Sequence, residues 1–197
     1  MGSASSVLDS RTGAIVHSTA LDVSGDAATL AVDSRLGRAF TIGSAPHHGF
    51  HSAIDIFDTH TGRLLYTVTL GVSAFGEVVD ERCGRLFVAN AGSGTVSVID
   101  VRAGTLVRTV PVARNPIPLA IDEGAQRVFV ATGTVFGSPG NFPPHGTLSV
   151  LDACGGSLLH TYPVGADPSA MAVDKQRGRV FVLNRISRTV TVLGAAP

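Results

Sequence analysis

The sequence predicts an all-β fold built from four copies of one four-stranded repeat, and three observations carry that prediction. The stretch Asp80 to Asp100 recurs with insertions: copies start at Asp33, Asp80, Asp122 and Asp174, each with an Arg five residues on (Arg38, Arg85, Arg127, Arg179) and a Phe seven residues on (Phe40, Phe87, Phe129, Phe181). Self-similarity at about 40 to 50 residues is the signature of a repeat architecture. Apolar residues alternate with period two in short runs between Gly, Asp, Asn and Pro clusters, and no segment has a helix-length period. Finally, 197 residues at 44% hydrophobic, with Gly 23 and Pro 10, supply a sizeable core and many turns.

Each repeat reads as four strands, A to D, taken in chain order. The A strands are expected at 29–33, 77–80, 119–122 and 170–174, and the B strands at 38–42, 85–89, 127–131 and 179–183. Strand C is expected at 53–57, 95–99, 147–151 and 189–193, and strand D at 15–21, 64–70, 106–112 and 158–164. After strand C an Asp (Asp9, Asp58, Asp100, Asp152) precedes by four residues a Gly (Gly13, Gly62, Gly104, Gly156), the pattern of an Asp-capped turn in which Gly takes a positive φ. The last copy has Gly194 in place of that Asp. Between A and B, the marker Asp and the Arg five residues on are placed to pair across the turn. One large aromatic per B strand fills the same gap between neighbouring sheets.

Four-stranded units with two apolar faces are not stable alone, and stacking them radially is the β-propeller solution. The B-strand tetrapeptides Phe87-Val88-Ala89-Asn90, Phe129-Val130-Ala131-Thr132 and Phe181-Val182-Leu183-Asn184, with the following Gly-Thr-Val-Ser-Val-Ile-Asp, resemble the YVTN-type, or YncE-like, propeller repeat family. Phe stands where the family name has Tyr, and the first copy is Phe40-Thr41-Ile42-Gly43. The whole chain, 1–197, is expected to be one repeat domain, with units at about 15–58, 64–100, 106–152 and 158–194 and a partial repeat over 1–14. The strand count leaves two closures. One is an open arc of about four blades of four antiparallel strands, belonging to a longer propeller or to half of a dimeric one; the other is a closed four-bladed ring in which 15–21 joins the final A, B and C strands. The surplus C-like segment 5–9 favours the arc, as does the resemblance, whose members close with six to eight blades.

Composition narrows the partners. Lys+Arg 15 against Asp+Glu 15 leaves no net charge, which removes the term that dominates binding to nucleic acid or anionic membrane. No apolar run approaches a membrane span, and the first residues carry no secretion signal. The resemblance implies an extracytoplasmic or periplasmic, bacterial home. Cys83 and Cys154 fall in different kinds of turn in different repeats and are expected to be idle thiols.

In this strand order the B–C and D–A connections emerge on one face and the A–B and C–D turns on the other. The B–C loops of the first and third copies are long, and loops grown on a rigid scaffold are where binding goes. His47, His48, His51 and His145 lie in them, which reads first as a solvated polar loop and, as the alternative, as a metal site or a general base; the first three are the metal candidates, although no carboxylate supports them nearby. Glu77 replaces Leu30, Leu119 and Met171 of the other copies on the innermost strand, so it needs a partner, a shifted pKa or a wet channel. Asp22, Asp26, Arg114, Asn115 and Asp167 on the D–A loops, with Asn90 and Asn184 at B-strand ends, form a polar rim. The candidate ligand-binding set is Glu77, Asn90, Arg114, Asn115, Asn184 and His145; no catalytic residue is assigned, because no nucleophile or phosphate-loop motif is present.

The favoured function is a non-catalytic scaffold binding a protein, peptide, glycan or small ligand on the face with the long B–C loops, without a cofactor. The alternative, resting on Glu77 and the loop histidines, is a lactonase-like or lyase-like enzyme in which Glu77 and channel-facing Asn or His residues hold a divalent metal. A homodimer that completes the propeller is a third expectation.

Overall fold

The computed structural model describes residues 4–8, 11–20, 29–44, 51–133 and 145–194. Among them seventeen strands and no helix are found: β1 (Ala4–Leu8), β2 (Ile15–Ala20), β3 (Leu30–Asp33), β4 (Arg38–Ser44), β5 (His51–Asp58), β6 (Leu64–Val72), β7 (Ala74–Asp80), β8 (Arg85–Asn90), β9 (Thr95–Asp100), β10 (Thr105–Pro111), β11 (Pro116–Asp122), β12 (Arg127–Thr132), β13 (Gly146–Asp152), β14 (Leu158–Val164), β15 (Pro168–Asp174), β16 (Arg179–Asn184) and β17 (Thr189–Gly194). Consecutive strands pair antiparallel into β3–β6 (blade I), β7–β10 (blade II), β11–β14 (blade III) and the three-stranded β15–β17 (blade IV), preceded by the pair β1–β2.

The repeat dictates how the blades stack. Each has a leading face toward the blade before it and a trailing face toward the blade after it. Phe40, Ile42, Ile54 and Ile56 on the trailing face of blade I meet Leu86, Val88 and Val79 of blade II. Phe87, Val96 and Val98 of blade II meet Val128, Val130, Leu119 and Ile121 of blade III, and Ala131, Leu148 and Phe129 of blade III meet Val180, Val182, Met171 and Val173 of blade IV. Three marker phenylalanines, Phe40, Phe87 and Phe129, therefore wedge at matching positions between sheets, while Phe181 of blade IV has no further described sheet to pack against. The innermost strands β7 and β11 approach closely enough that a Cβ on Gly76 would lie 2.7 Å from the Ile117 carbonyl oxygen, so only glycine fits there.

The C–D turns form as their chemistry requires: Gly62, Gly104 and Gly156 have φ of 67°, 63° and 68°, and the preceding Asp carboxylates accept backbone N–H groups, as Asp100 does from Arg102 and Ala103. The expected Asp–Arg pairing across the A–B turn does not form. Asp33, Asp80, Asp122 and Asp174 cap their own turns, Asp80 through bonds from Arg82 N (2.8 Å) and Cys83 N (2.9 Å). With the buried Asp80 committed to the turn amides, Arg85 pairs with Asp100, its neighbour on the other side; Arg38 likewise pairs with Asp58 at 3.0 Å and Arg127 with Asp152 at 3.9 Å. Arg179 lies opposite Gly194 and has no Asp there to pair with.

The cysteines are not idle thiols. Cys83 and Cys154 form a disulfide, Cα atoms 5.2 Å apart and 71 residues apart in sequence. Their turns differ in kind, A–B of blade II and C–D of blade III, but both lie at the same end of adjacent sheets, and that adjacency brings the sulfurs together.

The ring is open. Among the described residues β2 pairs with β1 and not with β17, which is hydrogen-bonded on one side only. Of the two closures, the arc is the one observed.

Candidate functional site

At the end of the sheets opposite the disulfide, the connections between blades form a strap that recurs at each junction. The residue before each inner strand takes the left-handed conformation, Ser73 (φ 53°), Asn115 (φ 58°) and Asp167 (φ 59°), and its carbonyl accepts from the residue just beyond the B strand. The bonds are Ala91 N to Ser73 O (2.8 Å), Gly133 N to Asn115 O (3.4 Å) and Arg185 N to Asp167 O (2.8 Å). Asn90 and Asn184 serve this framework. Buried in blade II, Asn90 accepts from Gly71 N (3.1 Å) and donates to Thr95 Oγ1 (3.1 Å) and Ser97 Oγ (3.0 Å). Asn184, also buried, donates to Thr189 Oγ1 (3.2 Å) and Thr191 Oγ1 (2.8 Å). Asn90 thus ties its blade to the strap, whereas both Asn184 bonds stay within blade IV and its buried Oδ1 has no hydrogen-bond partner among the described residues.

The strap leaves a cleft of about 530 Å³ between the D–A connections on either side of blade II and its B–C turn, lined by Ser73, Phe75, Gly92, Ser93, Arg114 and Asn115. The turn is pinned by Gly92 N to Val72 O (3.0 Å), Gly94 N to Asn90 O (3.0 Å) and Val72 N to Ser93 Oγ (2.7 Å). Phe75 is 53% exposed although apolar, and Arg114 is exposed with no ion pair among the described residues. The equivalent of Arg114 at the next junction is the buried Ala166, and there an Asp167–Arg185 ion pair at 2.6 Å braces the strap. The cleft thus combines a cation and an aromatic face beside a glycine turn in which Gly92 packs directly against Val72 and Ser73. Arg114 and Asn115 were both expected from sequence; Phe75 was missed, because it sits at a bulge in β7, between Ala74 opposite Asn90 and Gly76 opposite Ala89, where the alternation of the strand is interrupted.

Glu77 lies further along β7, on the face that Val79 turns toward blade I. Burial pushes its carboxyl up to about 7, opposed in part by the Thr29 hydroxyl. That hydroxyl is near enough to draw the carboxyl back toward its ordinary value, although neither Glu77 oxygen nor Thr29 Oγ1 makes a hydrogen bond of good geometry. An uncompensated carboxyl of this kind can exchange a proton near neutrality.

The remaining candidates scatter. His51 is exposed at the start of β5, its Nδ1 3.0 Å from Leu70 O, and His145 is exposed just before β13. His47, His48, Asp22 and Asp26 lie outside the described residues. Among the described residues one group gathers metal-type ligands, Asp80 with Cys83 and Cys154, and its sulfurs are joined to each other.

These blades and their straps define the class of fold, a β-propeller. The chain superposes with a TM-score of 0.70 on hydrazine synthase from Kuenenia stuttgartiensis, at 15% identity over 97% of this chain and 64% of that one. It superposes at 0.66 on a functionally unknown protein from Desulfotomaculum acetoxidans, at 14% identity over 91% and 58%, and at 0.75 on a chain of the mitotic checkpoint complex, at 11% identity over 98% and 55%. At such identities the likeness shows the fold alone, and the chain spans less than two thirds of each of these structures' chains. No family model matches the sequence, and no curated protein matches it.

Proposed function

We propose that this chain is a non-catalytic propeller scaffold that binds a protein or peptide segment in the cleft over blade II, on the face from which the B–C loops leave. The fold supports a scaffold or binding role, and one observation points to the ligand: Arg114, exposed and without an ion pair among the described residues, beside the half-exposed Phe75 ring. A cation next to an aromatic face selects an anionic group flanked by an apolar side chain. The partner chemistry is therefore an acidic peptide with an aromatic or aliphatic anchor. The test uses fluorescein-labelled peptides selected from a random display library on the wild-type chain. Arg114→Glu and Phe75→Ala should each weaken them about tenfold or more at an unchanged melting temperature. Unaltered affinity in both variants would remove the cleft from consideration.

A second reading, the lactonase-like or lyase-like metal-dependent enzyme, is supported by Glu77, whose carboxyl near 7 is poised for acid–base work. Thermal shifts with calcium, zinc and manganese test it, and no shift with any of them would end it. We further propose a YVTN-type lineage, on the B-strand tetrapeptides, and an oxidising, extracytoplasmic home, which the inter-blade disulfide supports.

A further inference from the structure

The two ends of the arc are unfinished in complementary ways. On the trailing face of blade IV, Val190 is 55% and Val192 52% exposed, and Leu183 beside them is about half exposed. Their counterparts by repeat position in blade II, Val96, Val98 and Ala89, are each 0% exposed because blade III covers them. At the other end, Leu30 is 65% and Val32 47% exposed on the leading face of β3. Their counterparts Leu119 and Ile121, and Met171 and Val173, pack against the trailing face of the blade before. The repeat therefore specifies what covers each end: the leading face of a blade covers Leu183, Val190 and Val192, and a trailing face covers Leu30 and Val32.

The strand inventory is complementary as well. Blade IV has A, B and C strands and an open edge on β17 where strand D belongs. The β1–β2 pair is a C–D hairpin without A and B. Its register, Val7 opposite His17 and Leu8 opposite Ile15 with a shift between them, reproduces that of β9 and β10, where Val98 lies opposite Arg108 and Ile99 opposite Leu106 with a shift between. Val192 and Leu193 of β17 hold the positions of Val7 and Leu8 in the repeat.

We propose that a second copy of this chain completes the ring: β2 of each copy leaves its own β1 and adds to the edge of the other copy's β17. Leu30 and Val32 of each copy then seat on Leu183, Val190 and Val192 of the other. The result is a two-fold ring with four blades from each chain, in which β1 is the placeholder that shields β2 in the separate chain. The chain's own ends do not supply this contact, since both faces are exposed in the same molecule. The arc also superposes over 97% and 98% of its length on longer chains, of which it spans 64% and 55%. This assembly does not depend on the cleft reading, because the cleft lies over blade II, away from both ends.

Sedimentation equilibrium at high micromolar concentration, together with cysteine trapping, tests it. The wild-type chain should sediment at twice its 20.2 kDa, and Val192→Asp should return it to a single chain with its β circular-dichroism spectrum intact. A chain carrying Val32→Cys mixed with a chain carrying Val190→Cys should form a disulfide-linked pair on oxidation that neither forms alone. If Val192→Asp fails to fold, the trapping of the two folded cysteine variants decides. A wild-type chain that stays at 20.2 kDa, the absence of the mixed cross-link, or a single chain carrying both cysteines that closes on itself would each overturn the proposal. Loss of peptide binding in the cleft with the dimer intact would count against the cleft alone.

Discussion

The Cys83–Cys154 disulfide joins the A–B turn of blade II to the C–D turn of blade III, so the covalent link crosses a junction between blades and closes a loop of 71 residues in sequence. Blades otherwise hold together through apolar contact and a few polar straps, such as the bond from Arg82 Nη1 to the Glu123 carbonyl (2.9 Å). Constraining a loop of that length in the unfolded chain contributes up to roughly 4 kcal/mol. Cys83→Ser, Cys154→Ser and reduced wild-type chain should therefore unfold at similarly lowered urea concentrations, with the oxidised wild type well above all three. Coincident curves for oxidised and reduced wild type would show that the link contributes nothing.

Asn90 makes three bonds from a fully buried position. Asn90→Ala should cost about 2 to 4 kcal/mol, because Gly71 N, Thr95 Oγ1 and Ser97 Oγ lose their shared partner in a dry site. Asn90→Thr should recover part of that loss, since blade III uses Thr132 at this position, bonded to Thr147. Chemical denaturation of the three proteins checks the ranking.

Much of this was legible in the sequence because the physics of a blade repeats: marker Asp, Arg and Phe, the Asp-to-Gly turns and the strand count all survive in local pattern. What was not legible depends on which blade stands beside which. Cys83 and Cys154 meet because an A–B turn stands beside the next blade's C–D turn, and Arg85 chooses Asp100 because the turn amides already hold Asp80. Within the candidate site, Glu77 stood out by breaking the repeat, and Arg114 and Asn115 by their place on a D–A loop. Asn90 and Asn184 gave no signal separating a strap from a ligand contact, since either role leaves a polar residue at a strand end.

Asp100 and Arg85 form an ion pair, yet their removal should not be equivalent. The Ala103 amide first, and the Arg85 and Arg102 bonds with it, hold the Asp100 carboxyl below the usual range. Asp100→Ala strips the cap from the C–D turn and should cost about 1 to 2 kcal/mol, in line with loss of a capping acceptor. Arg85→Ala removes only a partly exposed ion pair and should cost under about 1 kcal/mol. Equal destabilisation in thermal melts would mean that the ion pair, and not the turn, is what Asp100 supports.

Glu77 gives the chain a pH dependence with a definite sign. Its carboxyl is raised from an ordinary 4.5 to about 7 in the folded protein, chiefly by burial and against the smaller opposing influence of Thr29. Below 4.5 both folded and unfolded chains carry the proton and no cost arises. Between 4.5 and 7 the unfolded chain ionises first, so the folded state binds more protons and stability falls as pH rises; above 7 the full cost of an ionised, poorly solvated carboxylate is present. That cost is on the order of 3 kcal/mol at most. Glu77→Leu, which installs the residue type found at Leu119, should remove this contribution to the fall and leave the variant more stable than wild type above pH 7. Urea midpoints measured across that range for both proteins decide it, and parallel pH profiles would show that the Glu77 carboxyl is solvated in the folded chain.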